Sequence, residues 1–428
     1  MKCIHAIPFW FALCRASITH SQSDIGKVIV QRNPQHVAHG PSEYLRTMMK
    51  YNIAPTHPGA LPYHEIVSPE GGLLRRDVSL GLIGASLSPD SQGYTSPVTV
   101  GEGDDAKTFE LSFDTGSPLV WLFSDITDQS LNSTNSLYTP LNSTTATPTG
   151  EPFNITYGGG FNAFGILFND TISIGDITIY DQTIGADFRA SSSLCNPDIC
   201  NFTLDGFQGL LGLSLDSNND FLSNLFFGQS QHPTLPVFTT SLTRLDEPDG
   251  FFTFGYIEDQ LVGNNTIQYT PVIEEVGGWV VTSPYAVING FQIDTPGNQV
   301  LIDTGTTQIL VPDELLPTIY EPLNGVYNVS LQSWVIPANF TNSQLPTIVL
   351  PVGEWNVTLA PQDILYTPVD EWIIGAIQSS GDSPLSIFGD FWLRNVYAIF
   401  NLGISGNNVN ATFGFVPRAP NPVGPLSK

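Results

Sequence analysis

Two stretches of the chain show the hydrophobic pattern of strands that end in the same tripeptide. Phe109, Leu111 and Phe113 alternate with polar residues, which is the period of a strand with one buried face. The stretch 300–302 is wholly apolar. Each predicted strand runs directly into Asp-Thr-Gly, at Asp114 and at Asp303.

The repeat extends beyond these strands. Each Asp-Thr-Gly is followed, after a long interval rich in β-forming residues, by two apolar residues and a glycine: Leu210-Leu211-Gly212 and Ile387-Phe388-Gly389. Gly212 lies 98 residues after Asp114, and Gly389 lies 86 residues after Asp303. The two halves are comparable in size and in order, which predicts two homologous β lobes.

Helical patterns are few. Short helices are predicted at Asn219–Phe227 and Asp313–Leu323. Either Asn219 or Asp220 could act as the N-cap of the first helix, and Asp313 could cap the second. Elsewhere the content of Gly, Pro, Ser and Thr predicts short strands and many turns.

The N-terminal residues 1–19 have the pattern of a secretory signal peptide. Lys2 precedes the apolar run Ile4–Cys14, and the small residues Ala16 and Ser17 follow it. A buried N-terminal strand is the alternative. No other segment approaches the ~18 uninterrupted apolar residues of a spanning helix, and the polar C-terminal tail carries no anchor signal. We expect a secreted product, with a vacuolar location also open.

Residues 20–76 differ in composition from the rest of the chain. They contain five of the seven histidines, several prolines and a helical pattern at Ser42–Tyr51. The pair Arg75-Arg76 then precedes Asp77, and it is either a processing site or an exposed turn. The change in composition favours processing, so residues 20–76 are interpreted as a propeptide.

The charge of the chain excludes several partners. Forty Asp and Glu against 14 Lys and Arg give a formal charge of -26, which repels nucleic acid and anionic lipid. Eight of the basic and four of the acidic residues lie at or before Arg76, so 77–428 has six basic and 36 acidic residues and a charge of -30. We predict stability and activity at acid pH, with decay toward neutrality, because protonation relieves this repulsion.

Cysteines and glycosylation motifs indicate an oxidising compartment. Without the signal peptide the chain keeps only Cys195 and Cys200, which are spaced to close one small disulfide loop. Ten Asn-x-Ser/Thr motifs are candidate N-glycosylation sites. They are Asn132, Asn142, Asn154, Asn169, Asn201, Asn264, Asn328, Asn339, Asn356 and Asn410.

The remaining side chains limit the chemistry. Beyond residue 64 the only histidine in the sequence is His232, so the processed chain lacks the residues for a Ser-His-Asp or Cys-His mechanism and for a zinc site. The sequence contains neither a phosphate-binding loop nor a dinucleotide fingerprint. We expect no metal and no cofactor, and any hydrolysis must rely on carboxylates.

The ordered set of motifs resembles that of pepsin-like aspartic endopeptidases. The chain is similar to fungal-type secreted members of peptidase family A1 along most of 94–418. The resemblance implies an all-β, bilobal fold with two pseudo-twofold-related lobes and an active-site cleft between them. It places the N-terminal catalytic lobe at 77–280 and the C-terminal catalytic lobe at 281–428.

The resemblance also implies a catalytic pair, Asp114 and Asp303. The two carboxyls would share one proton, because like charges that close cannot both ionise. One would take a proton from water while the other gives one to the scissile carbonyl. Six supporting residues follow from the same resemblance: Thr115 and Thr304 as hydrogen bonds across the lobe interface, Gly116 and Gly305 as points of close approach, and Ser117 and Thr306 as donors to the outer carboxylate oxygens.

A glycine-rich hairpin, Asn154–Leu167, looks like the flap of this family. The resemblance makes Tyr157 its aromatic lid, with Gly158 and Gly159 beside the substrate and the indole of Trp121 bonded to the tyrosine hydroxyl. The chain departs from the family pattern at the glycine-rich tip and in lacking a disulfide in the C-terminal lobe. It also departs at two single positions, Gln208 and Asn401.

The segment Leu45–Tyr51 is similar to fungal propeptides, in which a basic residue can occupy the cleft. The resemblance does not decide whether Lys50 occupies the cleft in this chain. The implied partners are polypeptide substrates, the chain's own propeptide and pepstatin-type inhibitors, and the implied state is a monomer. Two other functions compete: a catalytically silent binding glycoprotein, and a secreted glycoside hydrolase with paired carboxylates.

Overall fold

The computed structural model describes a defined set of residues, and several predicted features lie outside it: the signal peptide, Arg75-Arg76, Gly158, Gly159, Cys195, Cys200, Asn132 and Asn201. The described residues are 26–32, 40–57, 67–68, 72–73, 93–126, 137–157, 161–188, 208–216, 220–228, 233, 235–244, 247–340, 344–403 and 410–418.

Strands dominate the described residues, as predicted. In chain order they are β1 (Lys27–Arg32), β2 (Val67–Ser68), β3 (Gly72–Leu73), β4 (Tyr94–Val100), β5 (Lys107–Asp114), β6 (Trp121–Phe123), β7 (Thr147–Tyr157), β8 (Phe161–Ile174), β9 (Ile177–Asp187), β10 (Gly209–Gly212), β11 (Val237–Ser241), β12 (Gly250–Phe254), β13 (Gln268–Pro271), β14 (Val280–Thr282), β15 (Tyr285–Ile288), β16 (Phe291–Asp294), β17 (Gln299–Ile302), β18 (Ile309–Val311), β19 (Val326–Asn328), β20 (Ser333–Pro337), β21 (Ile348–Val349), β22 (Leu365–Val369), β23 (Trp372–Gly375), β24 (Ile377–Ser379), β25 (Leu385–Phe388), β26 (Val396–Asn401) and β27 (Thr412–Pro417).

Five sheets contain these strands. The largest has 13 strands in the order β13-β27-β26-β11-β12-β1-β4-β5-β10-β6-β9-β8-β7, and a further pairing of β4 with β8 closes part of it into a barrel. The others are β14-β17-β25-β18-β24, β16-β15-β21, β19-β20-β23-β22 and β2-β3. The prediction of an all-β, bilobal pepsin-like fold is confirmed.

The strand pairing repeats in the two halves. In the first half β5 is parallel to β10, β10 is antiparallel to β6, and β6 is parallel to β9. In the second half β17 is parallel to β25, β25 is antiparallel to β18, and β18 is parallel to β24. The same connectivity therefore surrounds both Asp-Thr-Gly turns.

Helices in the described residues are short. The longest, α1 (Gly40–Lys50), confirms the predicted helix, while a helical turn Asp220–Ser223 continues as a π-helical turn Asn224–Gly228. The predicted helix 313–323 consists of three pieces: a 3-10 turn Asp313–Leu315, an α-helical turn Leu316–Tyr320 and a 3-10 turn Glu321–Leu323. Further short turns lie at Gly103–Asp105, Asp259–Val262, Glu274–Val276, Pro361–Ile364 and Asp390–Leu393.

The prediction that Asp313 is an N-cap is wrong. Pro312 occupies the cap position, and no side chain caps the turn. The carboxylate of Asp313 instead accepts hydrogen bonds from the hydroxyls of Thr56 and Ser379, which come from distant parts of the chain. Those tertiary contacts use the oxygens that a local cap would have needed.

One large apolar core runs through both halves. It joins Val98 and Leu111 of the first half to Val300 and Trp392 of the second. Burial of this continuous apolar surface supplies the main driving force that holds the two halves together. None of the described helices is long and apolar enough to cross a membrane.

Six of the predicted glycosylation asparagines lie on the surface of the described chain. They are Asn142, Asn154, Asn264, Asn339, Asn356 and Asn410. Asn169 and Asn328 are partly buried, and the Asn328 side chain accepts hydrogen bonds from two backbone amides, Ser330 and Leu331. Surface exposure makes the first group accessible to modification.

Candidate active site

The two Asp-Thr-Gly turns meet at the centre of the molecule. Asp114 is the last residue of β5 and lies opposite Gly212 of β10. Asp303 directly follows β17, and its amide donates to the carbonyl oxygen of Phe388 in β25 (3.1 Å). The side chains are 2% and 0% exposed, so both carboxyls are almost fully removed from bulk solvent.

Two threonine hydroxyls join the turns. Thr115 Oγ1 donates to the carbonyl oxygen of Ile302 (2.8 Å), and Thr304 Oγ1 donates to that of Phe113 (2.6 Å). Each hydroxyl also accepts from the other threonine's amide, at 3.1 and 3.0 Å. This reciprocal arrangement holds the two turns at a fixed separation.

The inner carboxylate oxygens are held by the backbone. Gly116 N donates to Asp114 Oδ1 (2.8 Å), and Gly305 N donates to Asp303 Oδ1 (2.9 Å). Each glycine also faces the opposite carboxylate. A Cβ atom on Gly305 would overlap the carboxyl group of Asp114, and one on Gly116 would overlap that of Asp303. Only glycine permits the two carboxyls to approach each other here.

The outer oxygens are bonded by hydroxyls. Ser117 Oγ donates to Asp114 Oδ2 at 2.7 Å. Thr306 Oγ1 makes the equivalent bond to Asp303 Oδ2. Each carboxylate therefore has a fixed plane and equivalent partners in its own turn.

Two consecutive residues at the end of α1 contact both carboxylates. Lys50 Nζ lies 2.8 Å from Asp114 Oδ1 and 3.0 Å from Asp303 Oδ2. The hydroxyl of Tyr51 donates to Asp303 Oδ2 at 2.5 Å. A cation and a phenol from the N-terminal segment thus occupy the space in front of the pair.

Burial and these contacts shift the pKa values of the pair in opposite directions. Burial, assisted by the charge of Asp303 and opposed by Lys50, raises the pKa of Asp114 to about 6. Burial also acts to raise the pKa of Asp303, but Lys50 and hydrogen bonds from Asp114, Thr306 and Tyr51 outweigh it and lower that pKa to about 2. The two groups titrate together, and the pair holds one proton between these limits.

The predicted flap is a β-hairpin. Strands β7 and β8 pair antiparallel up to Tyr157 and Phe161. The side chain of Tyr157 and the turn lie outside the described residues. Trp121 is 2% exposed and belongs to a small apolar cluster with Phe153 and Ala163, which places it at the base of this hairpin.

Sequence reasoning missed two features of the N-terminal segment. It assigned no role to Tyr51, and it did not predict β1, which inserts between β4 and β12. The apolar, β-branched run Val28-Ile29-Val30 between polar residues was the available signal for that strand. For Tyr51 the only signal was its place next to a lysine at the end of a predicted helix.

Comparisons with known proteins agree with this architecture. The model of the family described as "Eukaryotic aspartyl protease" matches residues 93–411. Endothiapepsin of Cryphonectria parasitica is 29% identical over 86% of each chain, and penicillopepsin-3 of Penicillium janthinellum is 30% identical over 81% of this chain and 84% of its own. Aspergillopepsin-1 of Aspergillus flavus is 28% identical over 84% of each chain. The chain therefore belongs to the eukaryotic aspartyl protease family, and it is an aspartic-type endopeptidase of class EC 3.4.23.

Proposed function

We propose that Asp114 and Asp303 hydrolyse peptide bonds as a pair that shares one proton. The observation that carries this proposal is the equivalent anchoring of two almost fully buried carboxyls on one cation. The ionised carboxyl removes a proton from water as the water oxygen attacks the scissile carbonyl carbon. The protonated carboxyl gives its proton to the carbonyl oxygen. Collapse of the resulting tetrahedral species breaks the C–N bond as the amine nitrogen gains a proton.

The supporting residues keep this pair ready for reaction. Thr115 and Thr304 fix the separation of the two turns, while Ser117 and Thr306 fix the carboxyl planes. In the proposed mechanism Gly116 and Gly305 leave room for the two carboxyls to approach each other. The hairpin then closes over the substrate, with Tyr157, Gly158 and Gly159 at its tip and Trp121 at its base.

The chain is proposed to be made as a secreted zymogen. Its parts would be a signal peptide (1–19), a propeptide (20–76) released at Arg75-Arg76, and two catalytic lobes (77–280 and 281–428). Lys50 and Tyr51 support this assignment, because a substrate cannot reach carboxyls that are already bonded to them. A vacuolar destination remains compatible with the same segments.

The partners follow from the proposed mechanism. Polypeptides are the substrates, the propeptide is an intramolecular inhibitor, and pepstatin-type compounds should bind the cleft. The acidic charge argues against nucleic acid and membrane partners. We further propose a monomer with one disulfide, Cys195–Cys200, and glycans on the exposed asparagines.

The test is cleavage of denatured haemoglobin by the processed protein from pH 2.5 to 7, with and without pepstatin. Asp114→Asn and Asp303→Asn should each abolish activity, whereas Asp294→Asn, an exposed carboxylate on β16, should retain it. Acid-peaked activity that pepstatin and both dyad variants remove would support the mechanism. A folded, processed wild type without activity would contradict it and favour the binding-glycoprotein alternative.

A further inference from the structure

Past the carboxyl pair, residues 53–57 of the N-terminal segment contact the second half of the molecule. Ile53 is buried, and Ala54 exchanges two hydrogen bonds with Asp382. Ala54 N donates to Asp382 Oδ1 (2.6 Å), and Asp382 N donates to the carbonyl oxygen of Ala54 (2.9 Å). Both bonds use only main-chain atoms of Ala54, so the backbone of another peptide could form them equally well.

The ring of His57, the last residue of the described range 40–57, packs against two aromatic side chains that also contact each other. The imidazole of His57 stacks on Tyr327, with centroids 4.0 Å apart and planes at 19°, and meets the edge of Trp334 at 5.8 Å. Trp334 is in turn stacked on Tyr320. Tyr327 and Trp334 are hereafter the aromatic slot. Within the described chain, Nδ1 of His57 is buried without a hydrogen-bond partner, so ring contacts rather than polar bonds hold it.

A carboxylate lies at the edge of the aromatic slot. Asp313 accepts from the hydroxyl of Thr56, the residue next to His57, and from that of Ser379. Burial, assisted by the charge of Asp313, raises the pKa of Tyr327 to about 12. When residues 53–57 leave, the face of Tyr327 that His57 now covers, the part of Trp334 that it contacts and the Asp313 carboxylate become available together.

We propose that the aromatic slot and Asp313 form a specificity site for a planar cationic side chain of the substrate, arginine above all. This inference rests on the proposed function. A guanidinium stacks on aromatic rings and bonds a carboxylate through its planar fork, whereas lysine offers only a point charge. The site selects a residue at one fixed position, separated from the scissile bond by the stretch of cleft that residues 51–56 now cover.

Cleavage profiling of the processed enzyme tests the site. A digest of denatured proteins, with every cleaved bond identified by mass spectrometry, should show arginine enriched about fivefold over alanine at one position. Asp313→Asn and Tyr327→Leu should each reduce this ratio toward one. Asp294→Asn, which removes an exposed carboxylate from β16, should leave the ratio unchanged.

A binding measurement covers the case in which a slot variant fails to fold. Peptides of residues 40–57 would be compared as inhibitors of wild-type enzyme, with His57 kept, changed to alanine or changed to arginine. The arginine peptide should inhibit more strongly than the native peptide, and the alanine peptide about tenfold more weakly. Asp313→Asn enzyme should lose the preference for arginine.

The results distinguish failure of the proposed function from failure of the specificity site. Pepstatin-insensitive or absent cleavage by the wild type would remove the proposed function and this site with it. Pepstatin-sensitive cleavage without arginine enrichment at any position, or with enrichment that neither slot variant changes, would overturn the site alone. Equal inhibition by all three peptides would do the same.

Discussion

At the scale of single residues, the site requires the absence of a Cβ atom at two positions. Gly116 and Gly305 each place a hydrogen where any other residue would have a Cβ atom, and the opposite carboxylate fills that space. The same logic applies to Gly212 and Gly389, whose added Cβ would overlap the backbone of Ser117 and Thr306. The glycines of both motifs are therefore steric requirements of the site.

Gly305→Ala tests this requirement. The added methyl should displace the Asp114 carboxyl and lower kcat by at least about 100-fold, because small displacements of reacting groups are that costly. The thermal midpoint of the processed protein and kcat would be measured together. Gly228→Ala, where the added atom meets only the flexible Asn224 side chain closely, is the matched control. Near-normal kcat in Gly305→Ala would contradict the steric account.

At the scale of elements, the N-terminal segment is part of the fold. Strand β1 pairs with β12 over four residue pairs and with β4 over two, and it places Val28 and Val30 in the main core. Helix α1 contributes Tyr44 and Met48 to a cluster with Leu310 and Ile387, beside the carboxyl pair. Strand and helix together position Lys50.

Substitutions on the two faces of β1 should differ sharply. Val30→Asp buries a charge in the core and should lower the free energy of unfolding of the full chain by about 3 kcal/mol or more. Ile29→Asp, on the exposed face of the same strand, should change it by less than about 0.5 kcal/mol. Urea unfolding in an Asp114→Asn background, which prevents self-processing, gives both values. Equal effects would show that β1 is not packed as described.

Inhibition by the 40–57 peptide should have a pH optimum and weaken on both its acid and its alkaline side. Binding lowers the pKa of Asp303 to about 2, so its contribution is present above the ordinary carboxyl pKa of about 4 and is lost as pH falls toward 2. The pKa of Asp114 is raised to about 6, so its contribution is present below about 4 and is lost as pH rises through 6. Inhibition should therefore be strongest near pH 4 and should weaken as the pH rises from 4 to 6.

The inhibition constant of this peptide, measured from pH 2.5 to 7, checks the expectation. Below pH 4 the affinity should fall by up to about tenfold per pH unit, the limit for one proton. A peptide with Lys50→Met should bind more weakly, and its affinity should depend much less on pH below 4. The reason is that Lys50 is the charge that lowers the pKa of Asp303. If the affinity of that peptide fell as steeply below pH 4 as that of the native peptide, the pH dependence would belong to a group other than Asp303 paired with Lys50.

At the scale of the whole molecule, charge sets the conditions. Residues 77–428 carry 36 acidic and six basic residues, so at neutral pH the processed protein repels itself. Two of the few cations have specific partners: the buried Arg244 is paired with Asp363, and the partly exposed Arg418 with Glu247. Exposed carboxylates, among them Asp104, Asp105 and Asp259, contribute to this repulsion.

The thermal midpoint of the processed protein should therefore rise as pH falls from 8 toward 4. Protonation of surface carboxylates relieves repulsion over this range, and added salt should raise the midpoint at pH 8 more than at pH 4. Calorimetry at low and high ionic strength would show both effects. A midpoint that is flat from pH 4 to 8 would refute this account.

The sequence by itself determined the parts of this protein that repeat locally. Two Asp-Thr-Gly turns after apolar strands, and two apolar-apolar-glycine motifs in the same order, predicted two β lobes. The resemblance of this motif set to pepsin-like endopeptidases then implied the all-β, bilobal fold and the carboxyl pair. Each of these signals lies within a few residues, where strand period and turn chemistry are directly readable.

Contacts between residues that are distant in the sequence are visible only in the folded structure. Lys50 reaches both carboxylates across 64 and 253 residues of chain, and Asp313 bonds Thr56 across 257 residues rather than capping its own helix. Such pairs carry no local pattern, because a side chain's partner depends on how the strands stack. The contact of His57 with the aromatic slot likewise depends on the tertiary fold and has no local sequence signal.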